Sequence, residues 1–355
     1  MGEAVVPSSR SFCSLLLSTV SIVVFTSSAA RAGVTVSPAR AAIVITTQTQ
    51  QFTSSATGVT WSVDNIVGGN STVGTISTAG LYTPPARAGT HTVTATSGGT
   101  SGSATIYLTD LKGVLTYHND NARDGINTRE LALSSSTVTT ATFGKLFSCV
   151  VDGAVYAQPL WMKGVSIAGG IHNIIVVATQ HDSVYVFDAD ANPCVTYWHI
   201  NLLDTLHGGT AGEAPVTWND VGYCYGDIYP EIGVTGTPVI DSTTNTIYVA
   251  NSQSNNLTVI DGATNSVMAT IAVGTAPSGL GVDSQTNFIY VANAGNSQAG
   301  DPGHITVING ATNDTYPLTD QNAKTPVAVA VNSVTNKIYV ANSRSNNVTV
   351  IDGAH

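Results

Sequence analysis

Thr244-Asn-Thr-Ile-Tyr-Val-Ala-Asn251 returns as Thr286-Asn-Phe-Ile-Tyr-Val-Ala-Asn293, and again as Thr335-Asn-Lys-Ile-Tyr-Val-Ala-Asn342. Each copy is followed by a matching segment: Leu257-Thr-Val-Ile-Asp261, Ile305-Thr-Val-Ile-Asn309 and Val348-Thr-Val-Ile-Asp352. Tyr248, Tyr290 and Tyr339 recur at intervals of 42 and 49 residues, the longer one containing an enlarged loop over 294–303. A period in the low forties with four short strands per unit predicts the leaves of a β-propeller. Leaves bury both faces, which explains continuous apolar runs where a half-exposed sheet would alternate. Pro238, Pro277 and Pro326 precede the first strand of each unit. Thr-Asn marks the first hairpin turn, and Asp261-Gly262 and Asn309-Gly310 mark the third.

These three copies resemble the YVTN family of propeller repeats. The resemblance implies a bacterial surface-layer or periplasmic protein. A divergent leaf precedes them: Ala157-Gln-Pro-Leu160, Ile174-Ile-Val-Val-Ala-Thr179 and Ser183-Val-Tyr-Val-Phe-Asp188, then Tyr197-Trp198. It resembles the quinoprotein-like repeat, which implies that the tryptophan docks on the following leaf. Pro193-Cys194 stands where that repeat has Thr-Gly. The stretch 117–131 (YHNDNARDGINTREL) resembles the opening region of such propellers. Leaves are expected over 157–203, 236–275, 276–320 and 326–355, with 143–151 as a further outer strand. The last leaf stops at His355 without a fourth strand, so the propeller of 111–355 reads as incomplete. A truncated reading frame and an arc completed by another chain both remain open.

Upstream, residues 33–110 carry short alternating strands between Gly, Ser and Pro turns, the pattern of a β-sandwich. Trp61, flanked by Val59 and Val63 on one face, is the expected core aromatic. The segments VTWSVD (59–64), GTISTAGLYTPP (74–85) and GTHTVTATS (89–97) resemble bacterial immunoglobulin-like repeats, which implies a spacer or adhesion role. The fold class is therefore all-β: an immunoglobulin-like sandwich, then a propeller. His91 reads as a solvated strand residue.

Residues 1–32 read as a secretory signal. Arg10 precedes an 11-residue apolar run, Leu15 to Phe25, and Ala30-Arg-Ala32 sets cleavage after Ala32. The run is too short to span a bilayer. The expected location is secreted, cell-surface or periplasmic, with no membrane span after cleavage. Of the remaining cysteines, Cys149, Cys194 and Cys224, the pair Cys194–Cys224 is preferred, because these two flank the long insertion between leaves.

The charge balance narrows the partners. Only 10% of residues are charged while 43% are hydrophobic, which excludes a disordered chain. The net charge of -10 repels phosphate backbones, so nucleic acid is not an expected partner. No zinc-ligand spacing, phosphate loop, dinucleotide fingerprint or nucleophile elbow occurs. HNDNARDG (118–125) is rich in oxygen ligands but places Ala122 at a calcium-ligand position. No metal and no cofactor are expected, and Glu231, beside a leaf, is the first residue to test. The candidate binding residues are turn residues sharing one propeller rim: His181, Asp182, Asn255, Asn256, Asn346 and Asn347. His181-Asp182 as a base pair has no nucleophile assigned to it, and repetition of Asn-Asn between leaves favours turn chemistry. The expected function is non-catalytic recognition of a protein or glycan ligand. The alternative is a propeller enzyme or a piece of one. A quinone-dependent dehydrogenase would need vicinal cysteines, which are absent, and a lactonase-like site needs glutamates, which are scarce.

Overall fold

The computed structural model describes residues 33–120, 123–135, 137–140, 143–217, 220 and 228–353. The signal segment 1–32 with its cleavage site, Ala122 and Cys224 lie outside the described residues. The protein is all-β, and two single-turn 3-10 helices are the only helical elements among those residues.

Val34 onward begins with two sheets packed over one core. The larger runs Arg40–Val44, Thr100–Thr109, Gly89–Ser97, Thr60–Val63, Ile66–Val67. The smaller runs Gln50–Gln51, Leu81–Thr83, Gly74–Ile76, Gly69–Asn70. Alternation decides which side chains face inward: Ala104, Ile106 and Leu108 point in while their neighbours stay half-buried. They meet Phe52 and Tyr82 of the smaller sheet, and Trp61 lies in the same core. The Tyr82 hydroxyl, buried with its ring, donates to Val73 O at 2.7 Å. Arg40–Val44 is a strand that the sequence reading passed over; it joins the edge in parallel. His91 is not simply solvated: its Nδ1 lies 2.7 Å from Asp64 Oδ2.

Four antiparallel leaves follow. The first has five strands, because Gly113–Val114 adds to Leu160–Ile167, Gly170–Ala178, Ser183–Asp188 and Thr196–Asn201. The second is Val239–Asp241, Thr246–Asn251, Asn256–Asp261, Val267–Ala272; the third is Pro277–Asp283, Phe288–Asn293, His304–Asn309, Thr315–Leu318. The fourth has three strands, Pro326–Asn332, Lys337–Asn342 and Asn347–Asp352. The first strands of the second, third and fourth leaves lie side by side, the central packing of a propeller. Small residues make that approach possible: a Cβ on Gly279 would come within 2.7 Å of Val327 O in the next leaf.

Each interface repeats one pattern. Tyr248, Ala250 and Leu257 of the second leaf pack on Leu280, Val282 and Val291 of the third. Tyr290, Ala292 and Ile305 of the third pack on Val329, Val331 and Val340 of the fourth. Trp198 of the first leaf is buried, and its Nε1 donates to Gly262 O of the second at 3.4 Å. The fourth leaf lacks such a neighbour among the described residues. Tyr339 is 40% exposed, where Tyr248 and Tyr290 are 4% and 3% exposed, and Val348 and Val350 are bare as well.

Three expectations need correction. Cys194 is bonded to Cys149, not to Cys224. The back face of the first leaf presents Val177, Tyr185 and Phe187, and Cys149 and Val151 lie across it, which brings Cys149 to Cys194. For the same reason 143–151 is a cover over that face without strand structure, not an outer strand. The third-turn glycines also act differently from a tight hairpin. The left-handed residues there are Asn265 and Asn313, at φ 64° in both. Gly262 docks on the first turn, its N–H donating to Asn245 O at 2.9 Å, and a Cβ would sit 2.8 Å from Asn245 Oδ1. Gly310 and Gly353 make the same bond to Asn287 and Asn336.

Candidate functional site

The rim turn of the first leaf, Gln180–Asp182, connects its third and fourth strands in chain order. Asp182 takes a left-handed backbone at φ 55°, and Asn255 and Asn346 take the same conformation in later leaves, at φ 55° and 53°. Asn and Asp tolerate this region better than other side-chain-bearing residues, which accounts for the residue choice at all three turns. The side chains of the later turns are also committed. Asn255 Oδ1 accepts from Ala276 N at 2.9 Å. Asn347 Oδ1 accepts from Asn342 Nδ2 at 3.0 Å, and Asn347 Nδ2 donates to Asn322 O at 2.9 Å.

Asn256 belongs to an inward network. Its Oδ1 accepts from Asn251 Nδ2 at 2.6 Å, and the same amide donates to Thr258 Oγ1 at 2.8 Å. Asn293 with Thr306 and Asn342 with Thr349 repeat the second contact at 2.9 Å each. The asparagine that ends each Tyr-Val-Ala-Asn segment is thus a buried bridge between second and third strands. Pairing Asn251 with Thr258 across the repeats was the signal in the sequence that could have revealed it.

Of the six candidate residues, the structure brings Asp182 and Asn256 to one cleft of about 390 Å³ between the first and second leaves. Asn255, Asn346 and Asn347 do not line it, and neither does His181. The sequence reading missed the other polar walls: His207 and Glu213 from the insertion, Asn251, Thr258 and Thr270. Asn251 is 7% exposed and its Oδ1 has no hydrogen-bond partner; His207 Nδ1 lies 3.6 Å from Asp204 Oδ2, beyond hydrogen-bond reach. Asp182 feels burial first, then Glu231 and Glu213, and its carboxyl is pushed up to about 7 despite His181.

His181 stands beside the cleft and holds Glu231, Nδ1 to Oε2 at 2.6 Å. That hydrogen bond raises the imidazole above its ordinary range, against the opposing effect of burial. Glu231 therefore ties the short Glu231–Ile232 strand to the first leaf. Among the described residues, no three His, Cys, Asp or Glu side chains gather in a metal-holding group.

A second cluster, Asp152, Ser183 and His199, has the residue types of a hydrolase triad. Its bonding differs. Ser183 Oγ donates to Asp152 Oδ2 at 2.5 Å and accepts from Asn201 Nδ2 at 3.1 Å, with His199 Nε2 at 3.0 Å. The carboxylate binds the hydroxyl directly, whereas a triad has it orient the imidazole. Ser183 is also fully buried. A larger cavity of about 660 Å³ lies along the first strands, walled by Val239, Val282, Val331 and Tyr339, and Lys112 and Asp120 are the charged residues among its described walls.

No family model matches the chain, and no curated protein matches it either. Among solved structures, a chain of the nidogen/laminin complex is similar at 10% identity, with a TM-score of 0.35, over 57% of this chain and 73% of that one.

Proposed function

We propose that the chain is a non-catalytic, exported binding or scaffold protein. An immunoglobulin-like module at 33–110 carries a propeller that recognises a protein or glycan ligand at the cell surface or in the periplasm. The observation that carries this reading is the cleft between the first two leaves. It is polar, concave and of ligand size, and it has a buried acceptor, Asn251 Oδ1, with nothing bonded to it. The commitment of the Ser183 hydroxyl to Asp152 weighs against a serine hydrolase. Arrays of surface glycans and exported proteins, probed with the mature chain, test the proposal. Saturable binding that Asp182→Asn weakens is the expected result. Hydrolysis of lactones, or dye reduction with an alcohol and an added quinone cofactor, overturns it.

A further inference from the structure

The space at this cleft has a counterpart between the second and third leaves, and the two are filled differently. In the counterpart, Gly274 N donates to Asn293 Oδ1 at 3.1 Å, and a Cβ on Gly274 would come within 2.7 Å of Asn293 Cγ. The chain itself fills that space and caps the asparagine. Between the first and second leaves the connection runs through the insertion, and Asn251, at the same repeat position, has an uncapped Oδ1, as Asn342 does in the fourth leaf; what sets the first case apart is the space beside it. A hollow of about 390 Å³ stands there instead.

The lining of the hollow selects its occupant. Among its described lining residues Asp182 and Glu213 are acidic, His207 is the one basic-type side chain, and there is neither lysine nor arginine. Leu202, Leu203 and Val216 add an aliphatic wall. Resting on the reading of this cleft as a ligand site, we propose that it takes an aliphatic primary ammonium group, of the kind a lysine side chain of a protein ligand presents, the ammonium donating to Asn251 Oδ1 and facing Asp182 and Glu213. A neutral polyol leaves the half-buried Asp182 carboxyl without a counter-charge, and an anion is repelled. A bare metal ion lacks the clustered ligands it needs. Burial above all, with Glu231 and Glu213 nearby, disfavours the ionised form of Asp182, a cost that a bound cation would offset.

The test titrates the full mature chain with n-butylammonium, with 1-pentanol as the neutral analogue of similar size, and with calcium chloride, each followed by protein NMR shifts. Saturable binding of n-butylammonium alone is expected, weakened at least tenfold by Asp182→Asn and by Glu213→Gln. Asparagine keeps the left-handed turn and glutamine can still accept from Thr210 N, so both variants should fold, which melting curves verify. Equal binding of the alcohol, preferential binding of calcium, no binding, or unaltered affinity in both folded variants overturns the amine site. A glycan or protein ligand held at the cleft but not displaced by n-butylammonium overturns this inference and leaves the binding function standing. Turnover does the reverse.

Discussion

Asp182 shows how one side chain sets a pH dependence. Its carboxyl ionises near 7 in the folded protein, against about 3.9 when unfolded. Between those values the folded state keeps a proton that the unfolded state releases, so stability falls as pH rises from about 4 to about 7. Asp182→Asn is expected to flatten that part of the curve, read by urea midpoints across pH. His181 acts in the same direction at higher pH. Its contribution is complete below about 6.5 and is lost as pH rises through its raised folded value. Glu231→Gln should remove that second decline. The bridging asparagines give a simpler expectation. Asn293→Ala strips partners from Gly274 N and Thr306 Oγ1 and should cost about 1–3 kcal/mol in denaturant unfolding.

At the scale of elements, the Cys149–Cys194 bond closes 45 residues of chain and pins the cover over the first leaf. In the chain-entropy model a loop of that length is worth about 4 kcal/mol. Cys149→Ala is expected to lose a large part of it, and reductant should produce the same shift in the parent while leaving the variant unchanged. The second to fourth leaves were legible in sequence because each strand repeats its own apolar run and its own turn residues. The cover was not, since 143–151 pairs with no strand and its position follows from the back face it hides. The pairing of Cys194 was misread for the same reason: proximity in sequence to the insertion said nothing about that face. Likewise the cleft was half visible. Asp182 and Asn256 stand on repeated turns, whereas His207 and Glu213 lie on an insertion with no repeat to place them.

For the whole molecule, the internal repeats act as controls on one another. Leu257 and Val348 occupy matching positions, but the first is fully buried by the next leaf and the second is 58% exposed. Leu257→Lys should abolish folding or lower the unfolding midpoint sharply, because it buries a charge without a partner. Val348→Lys should change stability by no more than about 0.5 kcal/mol, the ordinary effect of a surface substitution. Circular dichroism melts of the two variants make the comparison direct. Among the described residues, the strand Asn347–Asp352 that carries Val348 is hydrogen-bonded on one side, to Lys337–Asn342. The opposite margin of 347–351 offers a docking rail for an extended peptide, and no proline or bulge interrupts it. Storage at high protein concentration should therefore promote fibrous growth from this margin, and the lysine at 348, with a second at 350, should slow it.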